Sequence, residues 1–188
     1  MKKVKLGADT LLYPMPAVLV GTIVGEKANV MTAAWCGIAA SRPPALSVSI
    51  RKERHTFKGI EQHGVFSINV ASTDLATKVD YCGLYSGRKT DKSDLFELFY
   101  GTFEAAPLLR ECPVNLACKV IHTLDLGSHV LVVGEIVETY VSEDCLSHGK
   151  PDPVKIDPLI YTTVTQEYRR LGGVVAKAFH AGKTLQES

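Results

Sequence analysis

The stretch NLACKVIHTLDLGSHVLVVGEIVETYV, residues 115–141, decides the fold class. Leu116, Cys118, Val120, His122 and Leu124 occupy one set of alternate positions, and Ala117, Lys119, Ile121, Thr123 and Asp125 the other. A period of two is the pattern of a half-buried antiparallel strand, because successive side chains of an extended chain point to opposite faces. Only Gly127-Ser128 separates this run from the next, which is the length of a hairpin turn. Residues 115–126 and 129–141 are therefore predicted as two long paired strands. The second is apolar on both faces from Val130 to Val133, as expected of a wall touched from both sides.

Working outward, β-branched apolar runs alternate with Gly/Pro punctuation. Residues 17–24 are predicted as a strand entered through Pro14 and Pro16, which cannot sit inside a hydrogen-bonded ladder. A turn over 25–29 leads to a strand from Val30 to about Ala39, and Ser41-Arg42-Pro43-Pro44 turns the chain into strands at 45–50 and 65–70. Helices are predicted at 56–61 and 73–79, each opening on a threonine suited to an N-cap, and at 174–179. Regular crossover helices and a G-x-G-x-x-G turn are missing, which argues against a layered dinucleotide-binding sheet. The expected class is mainly β: a Greek-key or related barrel with a few short helices, forming one domain over residues 1–188.

Composition limits the partners. The 188 residues are 46% hydrophobic and 22% charged with a formal net charge of +1. That is a globular balance, and nothing in it calls for nucleic acid or an anionic membrane. An anionic ligand must be caught by a local cluster of donors. The charged start Met1-Lys2-Lys3 has no apolar segment behind it, so neither a secretion signal nor a membrane span is expected. Five cysteines without a C-x-x-C pair suit a reducing cytoplasm better than a disulfide framework or a zinc site.

Three segments carry candidate chemistry. Asn29-Val30-Met31-Thr32-Ala33-Ala34-Trp35 mixes small residues, which let a flat ring approach the backbone, with the polar groups of Asn29 and Thr32 and the face of Trp35. A buried strand with one core aromatic is the plainer account. Ser47 and Ser49 share a strand face that runs into Arg51 and His55, then into a helix start near Thr56; such an end, with free N–H groups and cations, receives anions. An ordinary solvated loop explains it too. Residues 85–93 join Gly87 to Arg88, Lys89 and Lys92, a loop able to close over a phosphate. No catalytic dyad, nucleophile elbow or metal-ligand spacing is present, so no residue is assigned an acid–base, nucleophilic or metal role.

In order and spacing these segments resemble the flavin reductase-like family, most closely its flavoredoxin branch. The likeness extends through Arg42-Pro43-Pro44, Gly64-Val65-Phe66-Ser67-Ile68-Asn69-Val70, the Ser86-Gly87 to Asp91-Lys92 loop and Tyr168-Arg169-Arg170-Leu171-Gly172, nearly the whole chain. The resemblance implies an FMN-binding split β-barrel and a homodimer. It implies that Asn29, Val30, Met31, Thr32, Ala33, Ala34 and Trp35 line the ring and ribityl chain. Ser49, Arg51, His55 and Thr56 would then serve the ribityl or phosphate end, with Lys92 approaching from its loop. Members either reduce flavin with NAD(P)H or keep FMN as an electron carrier, taking electrons from a redox protein; no nicotinamide motif separates the two here. A non-catalytic small-ligand-binding β-barrel is the alternative.

Overall fold

The computed structural model describes residues 1–185. Its main elements are β1 (Val18–Val24), β2 (Lys27–Ala33), β3 (Cys36–Ser41), β4 (Pro44–Arg51), α1 (His55–His63), β5 (Val65–Val70), α2 (Ala76–Leu84), β6 (Val114–Asp125) and β7 (His129–Val141). The seven strands form one antiparallel sheet in the order β2-β1-β5-β6-β7-β4-β3. The strands β2 and β3 are its two edges, yet only Ala34 and Trp35 separate them in sequence. Three Cα–Cα steps span at most about 11 Å, so the edges must meet and the sheet rolls into a barrel with a seam. The Ser49 N–H donates to the Trp35 carbonyl at 2.9 Å and ties the link to β4. The expected mainly β split barrel is what forms.

The barrel interior follows the period-two rule. Val18 and Val20, Met31 and Ala33, Leu46, Val48 and Ile50, Phe66 and Ile68, and Val130 and Val132 all point inward. Each fully buried aliphatic side chain contributes about 1.5–3 kcal/mol. Helix α1 adds Phe57 and Ile60 to this core. It lies so close to β1 that a Cβ on Gly59 would come within 2.2 Å of the Ile23 carbonyl oxygen. The alternate residues Leu19 and Val30 look outward into a second apolar cluster with Val79, Cys82, Phe96 and Leu109. A small three-stranded sheet, Met15–Pro16, Ile160–Thr162 and Glu167–Arg169, brings the later chain back beside the N-terminal segment.

Several local expectations are corrected. The single strand over 30–39 is two strands, because the chain leaves β1 and joins β4 at Ala34-Trp35, a change of partner that local sequence does not encode. Helix α1 is capped at Arg54 and has no side-chain cap, so Thr56 is not an N-cap. Thr73 opens a 3₁₀ turn (Thr73–Leu75) ahead of α2. No helix spans 174–179: Val174, Val175 and Phe179 are almost wholly exposed and bury no face that would hold one. In β6 the alternation lapses at Ile121, which bulges between the pairs Val133–His122 and Gly134–Val120. Beyond it the hairpin tip projects from the barrel, and His122 and Leu124 are exposed.

One buried polar network fixes the loop before β6 to the barrel. The Asn69 side-chain oxygen accepts from the Leu109 N–H at 3.0 Å and from Asn115 Nδ2 at 2.8 Å, while its Nδ2 donates to the Leu19 carbonyl and Ser67 Oγ. Asn69 is fully buried, so every lost bond strands a group away from water. Asn69→Leu is expected to destabilise the fold by about 3 kcal/mol or more, read as a lower urea midpoint at unchanged slope; a shift under about 1 kcal/mol would show that the network is dispensable.

Candidate functional site

The seam opens a slot. Seven residues expected there do meet in one cavity of about 290 Å3: Met31, Thr32, Ala33, Ala34, Trp35, Ser49 and Arg51. Strand β2 has a strand neighbour on one side only, so its other side presents alternate backbone N–H and C=O groups at the slot. Trp35 supplies an aromatic wall, with the His129 ring 4.8 Å away, centre to centre. His129 pairs across the sheet with Arg51, which remains largely exposed beside Glu53. A neighbouring cleft of about 440 Å3 shares Thr32, Ala34, Arg54 and Tyr161 with the slot and adds Asp80, Gly83 and Tyr168. There the Tyr168 hydroxyl donates to Asp80 at 3.1 Å, and burial with the adjacent carboxylate pushes its pKa up to about 12.

The other three lining residues, Asn29, His55 and Lys92, lie in a separate pocket of about 260 Å3 under the loop after α2. Asn29 Nδ2 donates to Thr56 Oγ1 at 2.6 Å, and Gly87 packs so closely that a Cβ there would overlap the Asn29 amide oxygen. Lys27, Arg88, Lys89 and Lys92 face this pocket against one carboxylate, Asp91, which Lys27 already holds at 2.7 Å. Burial, then the positive charges of Arg88, Lys58 and Lys92, push the His55 pKa down. His55 Nδ1 is buried without a hydrogen-bond partner among the described residues. The pocket thus carries excess positive charge, the condition an anion relieves.

Lys92 is not a solvated loop residue. Its ammonium is buried and donates to the carbonyls of Tyr85 at 2.9 Å and Cys82 at 3.3 Å; burial lowers its pKa. These are carbonyls at the C-terminal end of α2, where no intrahelical donor remains and the helix dipole favours cations. Arg54 Nη1 donates to Gly83 in the same turn at 3.2 Å. One helix end therefore orients Lys92 toward the cationic pocket and Arg54 toward the slot. An ammonium has three N–H donors, and two are spent here.

Two expectations need correction. The Val30 side chain is buried in the second core cluster and lines neither the slot nor the cationic pocket. Thr56 is 1% exposed and lines neither the slot nor the cationic pocket; its hydroxyl accepts from Asn29 and holds it. Sequence reasoning missed Arg54, His129 and Tyr161. Arg54 sits in a basic loop that gave no reason to prefer it over its neighbours, and Tyr161 arrives only through its pairing with Met15.

Comparison with known proteins places this geometry. The structure superposes on flavoredoxin from Methanosarcina acetivorans with a TM-score of 0.95 and 41% identity, covering 98% of this chain and all of that one. Flavoredoxin of Desulfovibrio vulgaris (Miyazaki F) gives 0.89 and 41%, covering 97% and 100%. A flavin reductase (NADH) of Kitasatospora aureofaciens is 26% identical over 168 residues, 81% of this chain and 77% of its own length. The model of the flavin reductase like domain matches residues 10–172. The fold is thus shared over nearly the whole chain with two flavoredoxins, and the chain belongs to the flavin reductase-like family of oxidoreductases.

Proposed function

We propose that the chain holds one FMN, with the ring in the seam slot and the phosphate in the cationic pocket, and uses it to transfer electrons. The observation that carries this reading is the pairing of two unlike cavities along β2. Asn29 and Ala33 lie four residues apart, about 13 Å along an extended strand. One end is flat, aromatic and edged with backbone donors; the other has four cations against one carboxylate. That matches a neutral ring joined by a polyol chain to a dianion.

A bound flavin supplies the redox chemistry; the protein supplies binding, orientation and electrostatics. The free edge of β2 offers hydrogen bonds to a heterocycle, Trp35 shields one side of the slot, and Arg54 holds positive charge beside it before any negative charge develops. Asn29, positioned by Thr56, lies with Lys92 and His55 where the polyol and phosphate would pass. The electron donor in this reading is NAD(P)H or a redox protein. The same proposal treats residues 1–188 as one domain working in the cytoplasm, in keeping with five unpaired cysteines and with no described helix long and apolar enough to cross a membrane.

Heat release and chromatography should recover about one FMN per chain. Charge-assisted hydrogen bonds are worth about 1.5–3 kcal/mol, and about 1.4 kcal/mol is a decade in affinity. Lys92→Met should therefore weaken FMN about tenfold or more and leave riboflavin, which lacks the phosphate, nearly unaffected. Lys89→Met, which does not disturb the end of α2, should act in the same direction. Recovery of FAD alone would overturn the choice of FMN, and equal losses for both ligands would remove the phosphate from this pocket.

Anaerobic mixing with NADH and NADPH separates the two modes of action. Rapid bleaching of the flavin by either nucleotide is the outcome for a reductase. Bleaching by dithionite but by neither nucleotide is the outcome for a carrier fed by a protein.

A homodimer belongs to the same proposal. Strand β3 is a sheet edge exposed from Gly37 to Ser41, with Ile38 73% exposed, and the hairpin tip adds exposed Leu124 and Leu126. A symmetric second copy covers such a surface most simply. Sedimentation should give twice the 20.4 kDa chain mass; a stable monomer at micromolar concentration would reject it.

A further inference from the structure

The pocket under the loop after α2 has a buried end and an open end. Asn29 and Lys92 are buried, whereas the side chains of Lys27 and Asp91 are 74% and 44% exposed. Lys27 and Asn29 lie two residues apart on β2, so their side chains share a face, about 7 Å apart along the strand. The order along β2 is therefore the seam slot at residues 31–33, the buried donors around Asn29, and then the Lys27–Asp91 ion pair.

The two carboxylate oxygens of Asp91 have separate partners. Oδ2 accepts from Lys27 Nζ at 2.7 Å, while Oδ1 accepts from the Ser93 N–H at 3.0 Å and the Ser93 hydroxyl at 2.6 Å. The Ser93 bonds aim the carboxylate at Lys27. The hydrogen bond from Lys27 holds the Asp91 carboxyl well below the usual carboxylate range, and the same bond raises the Lys27 pKa, so both are charged at neutral pH. The loop is tied elsewhere too: Arg88 Nη2 donates to the Glu53 carbonyl at 3.0 Å, Gly87 packs on Asn29, and Lys92 is fixed at the end of α2. Residues 86–92 thus form a strap across the pocket that closes on β2 through one ion pair.

A phosphate seated among Asn29, His55 and Lys92 has this pair in the way of any onward chain. A terminal phosphate ends there. A diphosphate would place its second phosphate where the Asp91 carboxylate and the Lys27 stem already lie, beside a negative charge. The pocket, about 260 Å3, is smaller than the about 300–1,000 Å3 of ordinary ligand sites, so an adenylate finds no room behind the strap.

We propose that the Lys27–Asp91 pair is a specificity-determining element, an end wall that favours a flavin whose phosphate is terminal over one extended through a diphosphate. The proposal rests on the reading of this pocket as the phosphate site of a flavin. An exposed ion pair contributes modestly, so the wall sets a preference and can be opened by a larger ligand.

Flavin-stripped protein is titrated with FMN, FAD and riboflavin, followed by flavin fluorescence. The parent should bind FMN more tightly than FAD. The two ligands carry similar negative charge, so a change in pocket charge moves both together and their affinity ratio reads the wall. Asp91→Asn loses the ion pair and keeps an acceptor for Ser93. Lys27→Gln loses the same pair and shifts the pocket charge the other way. FMN affinity should rise in the first variant and fall in the second, yet the preference for FMN over FAD should drop about two- to fivefold in both. A preference unchanged in both variants, one that moves in opposite senses in the two, or a parent that binds FAD as tightly as FMN would each overturn the end wall. If FMN still binds better than riboflavin in those cases, the wall alone is removed. Riboflavin bound as tightly as FMN by the parent removes the phosphate from the pocket, and the wall with it.

Discussion

Everything at the site depends on the two-residue link Ala34-Trp35 between opposite edges of the sheet. A link this short cannot reach across an open seven-stranded sheet, so it forces the sheet to roll until its edges face each other. Full hydrogen bonding across the seam would close the barrel and leave no site. Instead β2 keeps one side unpaired with any strand, and the link itself carries the indole that walls the opening. An exposed edge is normally an invitation to unwanted pairing; here it is recessed beside Trp35, Ser49 and α2 and becomes a row of donors and acceptors for a ligand.

The second organising element is the C-terminal end of α2. Its leftover carbonyls gather Lys92 and Arg54, and the two side chains diverge from that point toward different cavities. Burying an ammonium is costly unless it is paired or hydrogen-bonded, and the two carbonyls are what keep Lys92 in place. Cationic character is thereby divided between the Asn29 end of β2 and the edge of the slot. A chain of net charge +1 achieves this separation through placement, not through composition.

Much of the barrel was legible from local pattern because inward residues repeat with a period of two and turn residues punctuate them. Residues 65–70 and 129–141 come out with the predicted bounds, and the small-residue segment around Trp35 lands at the seam. Local pattern failed where long-range pairing decides. The run 30–39 breaks because its halves serve different strands. Thr56 has the chemistry of a cap but sits one residue inside the helix, and its hydroxyl is taken by Asn29, distant in sequence. Arg54 and Tyr161 had no distinguishing local signal, since their roles follow from a helix end and a strand pairing that do not exist until the chain folds.

The sequence by itself determined the mainly β class, the long hairpin, the family resemblance and most of the residues at the seam, because periodicity and residue type are local properties. Tertiary structure alone decided that the expected site residues divide between a slot at the seam and a separate cationic pocket, and that Lys92 is buried at a helix end. Those outcomes depend on which distant groups share a hydrogen bond or a wall, and that is set only when the edges of the rolled sheet meet.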